Sequence, residues 1–263
     1  MSLTNNNNSI FPSKPADAES LSQRDQKHLW HPLTQHKLTP QMLAIVKAKG
    51  AVLTDENGRE YVDGIASWYT AMYGHCNPYI TERVAKQMQQ LDQVVFSGFT
   101  HEPAIRLSEA LIKILPENQQ KLFFSDNGST ATEVGIKMAL QYHHNQGNER
   151  NVIMALEEGF HGDTFGAMSV SGLSVYNGAF ADHFIEVVRF PVPMGINNVE
   201  VLERVKEIVS ANTIAGFIYE PLVQGAAGMK MHDMAGLNGI LEICKSNDVI
   251  CIADEVMTGF GKT

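Results

Sequence analysis

From Lys121 to Ala253 short apolar runs alternate with amphipathic stretches, an order that few architectures accept. Runs at Lys121–Ser125, Asn151–Leu156, Phe184–Phe190, Ile214–Tyr219 and Val249–Ala253 have strand length, and Thr130–His143, Val199–Ala211 and Leu237–Ser246 carry apolar residues at helical spacing. Strands that are apolar throughout belong to sheets covered on both faces, and strand–helix–strand order builds parallel ones. The expectation is an α/β fold with a mostly parallel sheet flanked by helices. Several runs end in polar or glycine-bearing segments: Ser125–Ser129, Glu157–Asp163, Glu220–Gly228 and Asp254–Gly261. In a parallel sheet these meet at one edge, where ligands of open α/β folds bind.

The remainder is less regular. Residues 1–20, with an Asn run and little to bury, read as a disordered tail. Leu43–Leu53 and Glu60–Asp63 read as two strands around the Asn57-Gly58 turn. Thr100-His101-Glu102-Pro103 opens a helix whose Ile105, Leu107, Leu111, Ile112 and Leu115 predict a mostly buried face, ended by Pro116. The net charge of −9 argues against nucleic acid as the main partner. No apolar stretch has transmembrane length and the N-terminus has no signal-peptide core, so neither membrane nor export is expected. Three scattered cysteines, with Cys244 and Cys251 in apolar runs, predict buried free thiols and a cytoplasmic location.

Five segments carry chemistry. Asp126–Thr130, leading into a helix, supplies N–H groups for an anion, with Gly128 allowing close approach and the Ser129 and Thr130 hydroxyls donating. A bare helix cap uses the same residues, and the pattern is neither a Walker loop nor GxGxxG. Glu158-Gly159-Phe160-His161-Gly162-Asp163 follows a strand and offers an aromatic face, an imidazole and an acid, or simply a turn with a core Phe. No Cys or second His stands at ligand spacing, so no metal is expected. Glu220-Pro221 and Asp254-Glu255-Val256 place carboxylates at strand ends, where an acid needs a positive partner or a loop to cap. Ile65–His75, with Trp68, Tyr69 and Tyr73 within six residues, could wall a substrate pocket or pack a core. Together the parts suit a planar ring with a phosphate at one corner and a protonated nitrogen opposite, which is the shape of pyridoxal 5′-phosphate.

At these residues the chain resembles the class III aminotransferases, pyridoxal-phosphate enzymes of fold type I, from about His28 to Thr263. The resemblance is closest to the branch that serves biotin biosynthesis. It rests on Trp30-His31-Pro32, Ser67-Trp68-Tyr69, Thr100-His101-Glu102-Pro103-Ala104 and the long run Phe160–Ser169. It implies that Gly128, Ser129 and Thr130 hold the phosphate, and that Phe160 and Val256 pack on the two ring faces. Asp254 then pairs with the ring nitrogen, with His161 and Glu220 in its surroundings. Trp68, Tyr69 and Asp163 meet substrate. The implied substrates are S-adenosyl-L-methionine as amine donor and 8-amino-7-oxononanoate as acceptor, in a homodimer. Phe160 stands where this branch usually has Tyr, and Leu33 where an aromatic often follows His-Pro. Ala226 stands where ornithine- and 4-aminobutyrate-type relatives carry Glu. These departures keep open another class III ω-aminotransferase, acting on a diamine or ω-amino acid.

The resemblance also implies an organisation. Residues 21–75 form an N-terminal segment belonging partly to the small domain, and 76–263 begin the large cofactor-binding domain. The family's cofactor-linking Lys is expected beyond Thr263, and Lys262 does not occupy its place. The chain is therefore expected to be truncated, to hold no catalytic residue of that kind and to be inactive alone. A non-catalytic cofactor- or partner-binding chain is the reading from another class.

Overall fold

The structure, a computed structural model, describes residues 19–211 and 213–262. Most of the expected tail, residues 1–18, lies outside them. Two compact units divide at Phe99 and Thr100.

In the first unit, Ser20 caps the helix Leu21–His28 through a reciprocal pair with Gln23. Strands β1 (Ile45–Lys49), β2 (Val52–Asp55) and β3 (Glu60–Val62) form an antiparallel meander in that order. The expected single strand Leu43–Leu53 is thus two strands, because Gly50 takes φ 57° and turns the chain between them. The β2–β3 turn closes on Asp55, whose carboxylate accepts from Asn57 N, Arg59 N and Tyr61 Oη at 2.8, 2.9 and 3.0 Å. Pro78–Gln90 is a helix capped by Asn77.

The second unit contains the expected parallel sheet. Strands β4 (Val152–Leu156), β5 (Val187–Phe190), β6 (Ile214–Tyr219) and β9 (Ile250–Ala253) lie in the order β5-β4-β6-β9, all parallel. A two-stranded ribbon, β7 (Val223–Gln224) with β8 (Lys230–Met231), is separate. The two central strands, β4 and β6, are buried on both faces, as their apolar runs require. Met154, Leu156, Phe190 and Phe217 pack with the helices Asn198–Ser210 and Met234–Ser246, while Ile153, Ala155 and Ile218 pack with Ile136 and Val170 from Gly128–Asn145 and Phe165–Val170.

Three expectations fail here. Lys121–Ser125 is not a strand: it joins no ladder, and without one its backbone gains nothing from extension. The helix Glu102–Ile112 forms, capped by the His101 ring, but Ile105, Leu107 and Ile112 remain 41, 48 and 38% exposed. Periodicity assigns such a face without supplying the surface that covers it. Cys244 is buried as expected, whereas Cys251 is exposed. β9 is an edge strand of the sheet, so its pleat leaves Cys251 exposed on the face of Cys244 while Ile252 packs toward the helix Gly128–Asn145.

Candidate functional site

Because β4, β6 and β9 are parallel, Glu157, Glu220 and Asp254, each the first residue past a strand, emerge at one edge. Three contacts lock the edge together. Asp254 N donates to Tyr219 O at 2.8 Å, Glu157 N donates to Phe190 O at 3.0 Å, and Gln224 Nε2 donates to Glu157 O at 2.9 Å.

The helix Gly128–Asn145 begins beside this edge. Its cap is reciprocal: the Asn127 side chain accepts from Thr130 N at 3.0 Å, and Thr130 Oγ1 accepts from Asn127 N at 3.1 Å while donating to Asn127 O at 3.0 Å. Thr130 is therefore committed to the cap. The first-turn N–H groups of Gly128 and Ser129 have no intrahelical acceptor, and among the described residues none meets them. Ser129 Oγ accepts from Asp163 N at 3.2 Å, which leaves its proton to donate elsewhere. The loop crosses the helix so closely that a Cβ on Gly162, at φ 128°, would fall 2.2 Å from Ser129 Oγ. On the other side, a Cβ on Gly128 would come 3.0 Å from Val256 Cγ2.

His161 stands at the centre. Its ring is almost fully buried, and Nδ1 lies 2.8 Å from Asp254 Oδ2. Its backbone is held at both ends: N donates to Ser171 Oγ at 2.9 Å, and O accepts from Thr132 Oγ1 at 3.0 Å. Asp254, with a side chain only 9% exposed, also accepts from Val256 N at 3.1 Å through Oδ1. Glu220 is a buried clamp that accepts from Phe160 N at 3.1 Å and from Gly225 N at 2.8 Å. Phe160 and Val256 remain 42 and 60% exposed beside the buried His161 and Glu220.

The structure thus brings Gly128, Ser129, Phe160, His161, Glu220, Asp254 and Val256 together. Asp163 joins them through its backbone, with its side chain exposed. Trp68 and Tyr69 belong to the other unit. There Ala66, Ser67, Trp68 and Tyr69 take φ of 47, 47, 52 and 70°, a left-handed turn of four non-glycine residues. Such backbone costs about 1–2 kcal/mol per residue. Sequence reasoning missed Thr132, Ser171 and Glu133. The Glu133 carboxylate accepts from Gly166 N at 2.7 Å and Ala167 N at 3.3 Å, capping Phe165–Val170 from the neighbouring helix. These partners are 10 to 34 residues away in the chain, so no local spacing announces them. Among the described residues no cluster of His, Cys, Asp or Glu is placed to hold a metal, and no helix is long and apolar enough to cross a membrane.

Burial pushes the Glu220 carboxyl above its ordinary 4.5, against the pull of the Gly225 and Phe160 N–H groups. An acid whose folded pKa is raised contributes most stability below its unfolded value and loses it as pH rises through the folded one. Glu220→Gln loses one of the two acceptors and should cost about 1–3 kcal/mol. In urea titrations the wild type's advantage should be greatest below about pH 4.5 and narrow as pH rises. An advantage that grows with pH would contradict this.

The family described as Aminotransferase class-III matches residues 33–263. Adenosylmethionine-8-amino-7-oxononanoate aminotransferase of Synechococcus elongatus is 46% identical over 244 residues, covering 90% of this chain and 58% of that protein. Its Geobacter sulfurreducens counterpart is 36% identical over 264 residues, covering 94 and 58%. The crystal structure of the Methanocaldococcus jannaschii protein of that name superposes with a TM-score of 0.87 at 33% identity, over 92% of this chain and 56% of that one. An ω-transaminase from Pseudomonas jessenii in complex with PMP gives a TM-score of 0.86 at 27% identity, over 93 and 58%. The chain thus spans about 58% of the length of the curated relatives. With the family matching nearly all of the chain and the parallel sheet edge built as described, the chain belongs to the class III aminotransferases.

Proposed function

We propose that the intact protein moves the amino group of S-adenosyl-L-methionine to 8-amino-7-oxononanoate, giving 7,8-diaminononanoate for biotin synthesis. The observation that carries the chemistry is the buried Asp254–His161 pair at the edge where the helix Gly128–Asn145 begins. The choice of substrates leans on the relatives named adenosylmethionine-8-amino-7-oxononanoate aminotransferase.

The residues fit pyridoxal 5′-phosphate. Two first-turn N–H groups and the Ser129 hydroxyl stand ready for a phosphate, Asp254 keeps acceptor capacity for a ring N–H, and two apolar side chains at this edge are left uncovered. When bound, this cofactor supplies an electron sink for the amine carbon. The chain's own residues do the rest. Gly128 and Ser129 bind the phosphate, with Thr130 holding their helical turn in place through the cap. Phe160 and Val256 exclude water from the ring faces. Asp254 holds the proton on the ring nitrogen, and a charged partner of this kind is worth most in a dry site. His161 fixes the direction in which Asp254 points, and Glu220 fixes Phe160 through its N–H. Asp163 meets the substrate amine, and Trp68 and Tyr69 line the substrate pocket. The intact protein acts as a cytoplasmic homodimer.

A donor screen on the purified intact protein with 8-amino-7-oxononanoate as acceptor tests this. Turnover should require adenosylmethionine. Turnover only with diamines or ω-amino acids would replace the reading with the ω-aminotransferase one, to which Phe160, lacking a hydroxyl, is also suited. Retention of the cofactor without turnover of any donor would favour a binding-only chain.

A further inference from the structure

The left-handed turn at Ala66–Tyr69 is gripped by the side chain of Asp63. Asp63 follows β3, and its own N–H donates to Ala51 O at 2.9 Å, so its position is fixed by the meander. Its carboxylate then faces the turn: Oδ1 accepts from Ser67 N at 3.1 Å, and Oδ2 accepts from Ser67 Oγ at 2.8 Å. The same Oδ2 lies 2.7 Å from His75 Nε2, with the Asp63 side chain only 5% exposed. His75 is itself tied to the β1–β2 turn, since its N donates to Gly50 O at 2.8 Å and Gly50 N donates to its O at 3.0 Å. One carboxylate therefore joins the sheet, the turn and the segment returning to Gly50.

We propose that Asp63 is the positioning residue for the aromatic wall of the substrate pocket: through Ser67 and His75 it imposes the left-handed turn that sets where Trp68 and Tyr69 stand. This rests on the reading above that these two residues line the pocket. Four L-residues do not hold such backbone unaided, and conformations of this kind persist only where their surroundings over-determine them. The turn's internal bonds, Tyr69 N to Ile65 O at 3.1 Å and Thr70 Oγ1 to Ser67 O at 2.8 Å, close it but do not select its hand. The Asp63 contacts do. The His75 ring and the Ser67 donors hold its carboxyl down at about 2, so the charge that makes these bonds is present throughout the working range. Trp68, 63% exposed, is carried on this turn.

The test uses the intact protein and its Asp63→Asn, Ser67→Ala and Asp63→Asn/Ala66→Gly variants. Asn keeps the shape but loses the charge and one acceptor. Amide exchange in the peptide spanning the turn should speed up about tenfold in Asp63→Asn, and KM for the amino acceptor should rise by a similar factor, the scale of one charge-assisted hydrogen bond. kcat and cofactor affinity should stay within about twofold, as expected when only substrate binding is weakened. Ala66→Gly in that background should bring exchange and KM back toward wild type, because glycine takes left-handed φ without a steric penalty. Should Asp63→Asn fail to fold, Ser67→Ala should shift both readouts the same way by less. Unchanged exchange overturns the proposal, and so does faster exchange at constant KM, which would make Asp63 merely structural. A wild type inactive with every donor sinks the proposed function instead, while the exchange data still decide whether Asp63 holds the turn.

Discussion

Asp254→Asn in the intact, cofactor-loaded protein should lower kcat by roughly 30- to 5,000-fold, the equivalent of about 2–5 kcal/mol for breaking a buried charge pair. Asn keeps the shape and can still accept from Val256 N, which donates to Oδ1 at 3.1 Å. Its amide would then turn N–H groups toward His161 Nδ1, now 2.8 Å from Oδ2, and toward the ring nitrogen. The imidazole can answer by changing tautomer. The ring nitrogen cannot, and the proton that Asp254 would hold there has no partner. The loss should fall on kcat with cofactor still bound, since phosphate and ring-face contacts are untouched. Single-turnover kinetics beside a cofactor titration separate the two, and a kcat within fivefold of wild type would sink the assignment.

Gly162→Ala should be the most damaging single-atom addition in the loop. The new Cβ would lie 2.2 Å from Ser129 Oγ and 2.8 Å from Ser129 Cα, and Gly162 sits at φ 128°, where L-residues are strained. Strain alone is worth about 1–3 kcal/mol, and the clash with helix backbone should bring the total to about 4 kcal/mol or more. For a unit of this size that is a fall of roughly 8–16 °C in Tm, read by thermal scans of the apo-protein. Phosphate affinity should drop as well, because the loop can only relax by leaving the helix N-terminus. Adding Ser129→Gly removes the Oγ and Cβ collisions and should recover part of the loss. Full stability in Gly162→Ala alone would show that the loop does not cross as described.

The sheet was legible because a strand buried on both faces must be apolar along its length, so Val152–Leu156 and Ile214–Tyr219 announced themselves. Lys121–Ser125 misled for the same reason: its Phe123 and Phe124 look like a strand, yet a strand exists only if a neighbour ladders with it, and neighbours are not local. Glu102–Ile112 shows the parallel gap for helices, since periodicity identifies a stripe and not its cover. Within the site, acids past strand ends and a helix opening with Gly128-Ser129 could be read directly. The bond from His161 to Asp254 spans 93 residues and that from Glu220 to Phe160 spans 60, so both had to wait for the fold. The left-handed turn was equally invisible, because Ala66, Ser67, Trp68 and Tyr69 are residues that ordinarily avoid it.

The helix Gly128–Asn145 meets the crossing loop twice. Ser129 receives Asp163 N at its first turn, and Thr132, one turn on, holds the backbone of the imidazole that aims Asp254. The anion end and the acid end are therefore indexed to a single rigid rod. Thermal displacement of that rod carries both ends by the same vector, leaving the interval between them unchanged. Under the proposed function such a frame would work as a gauge, selecting an occupant by the span from its anionic corner to its basic nitrogen and keeping that calibration while the surface around it moves.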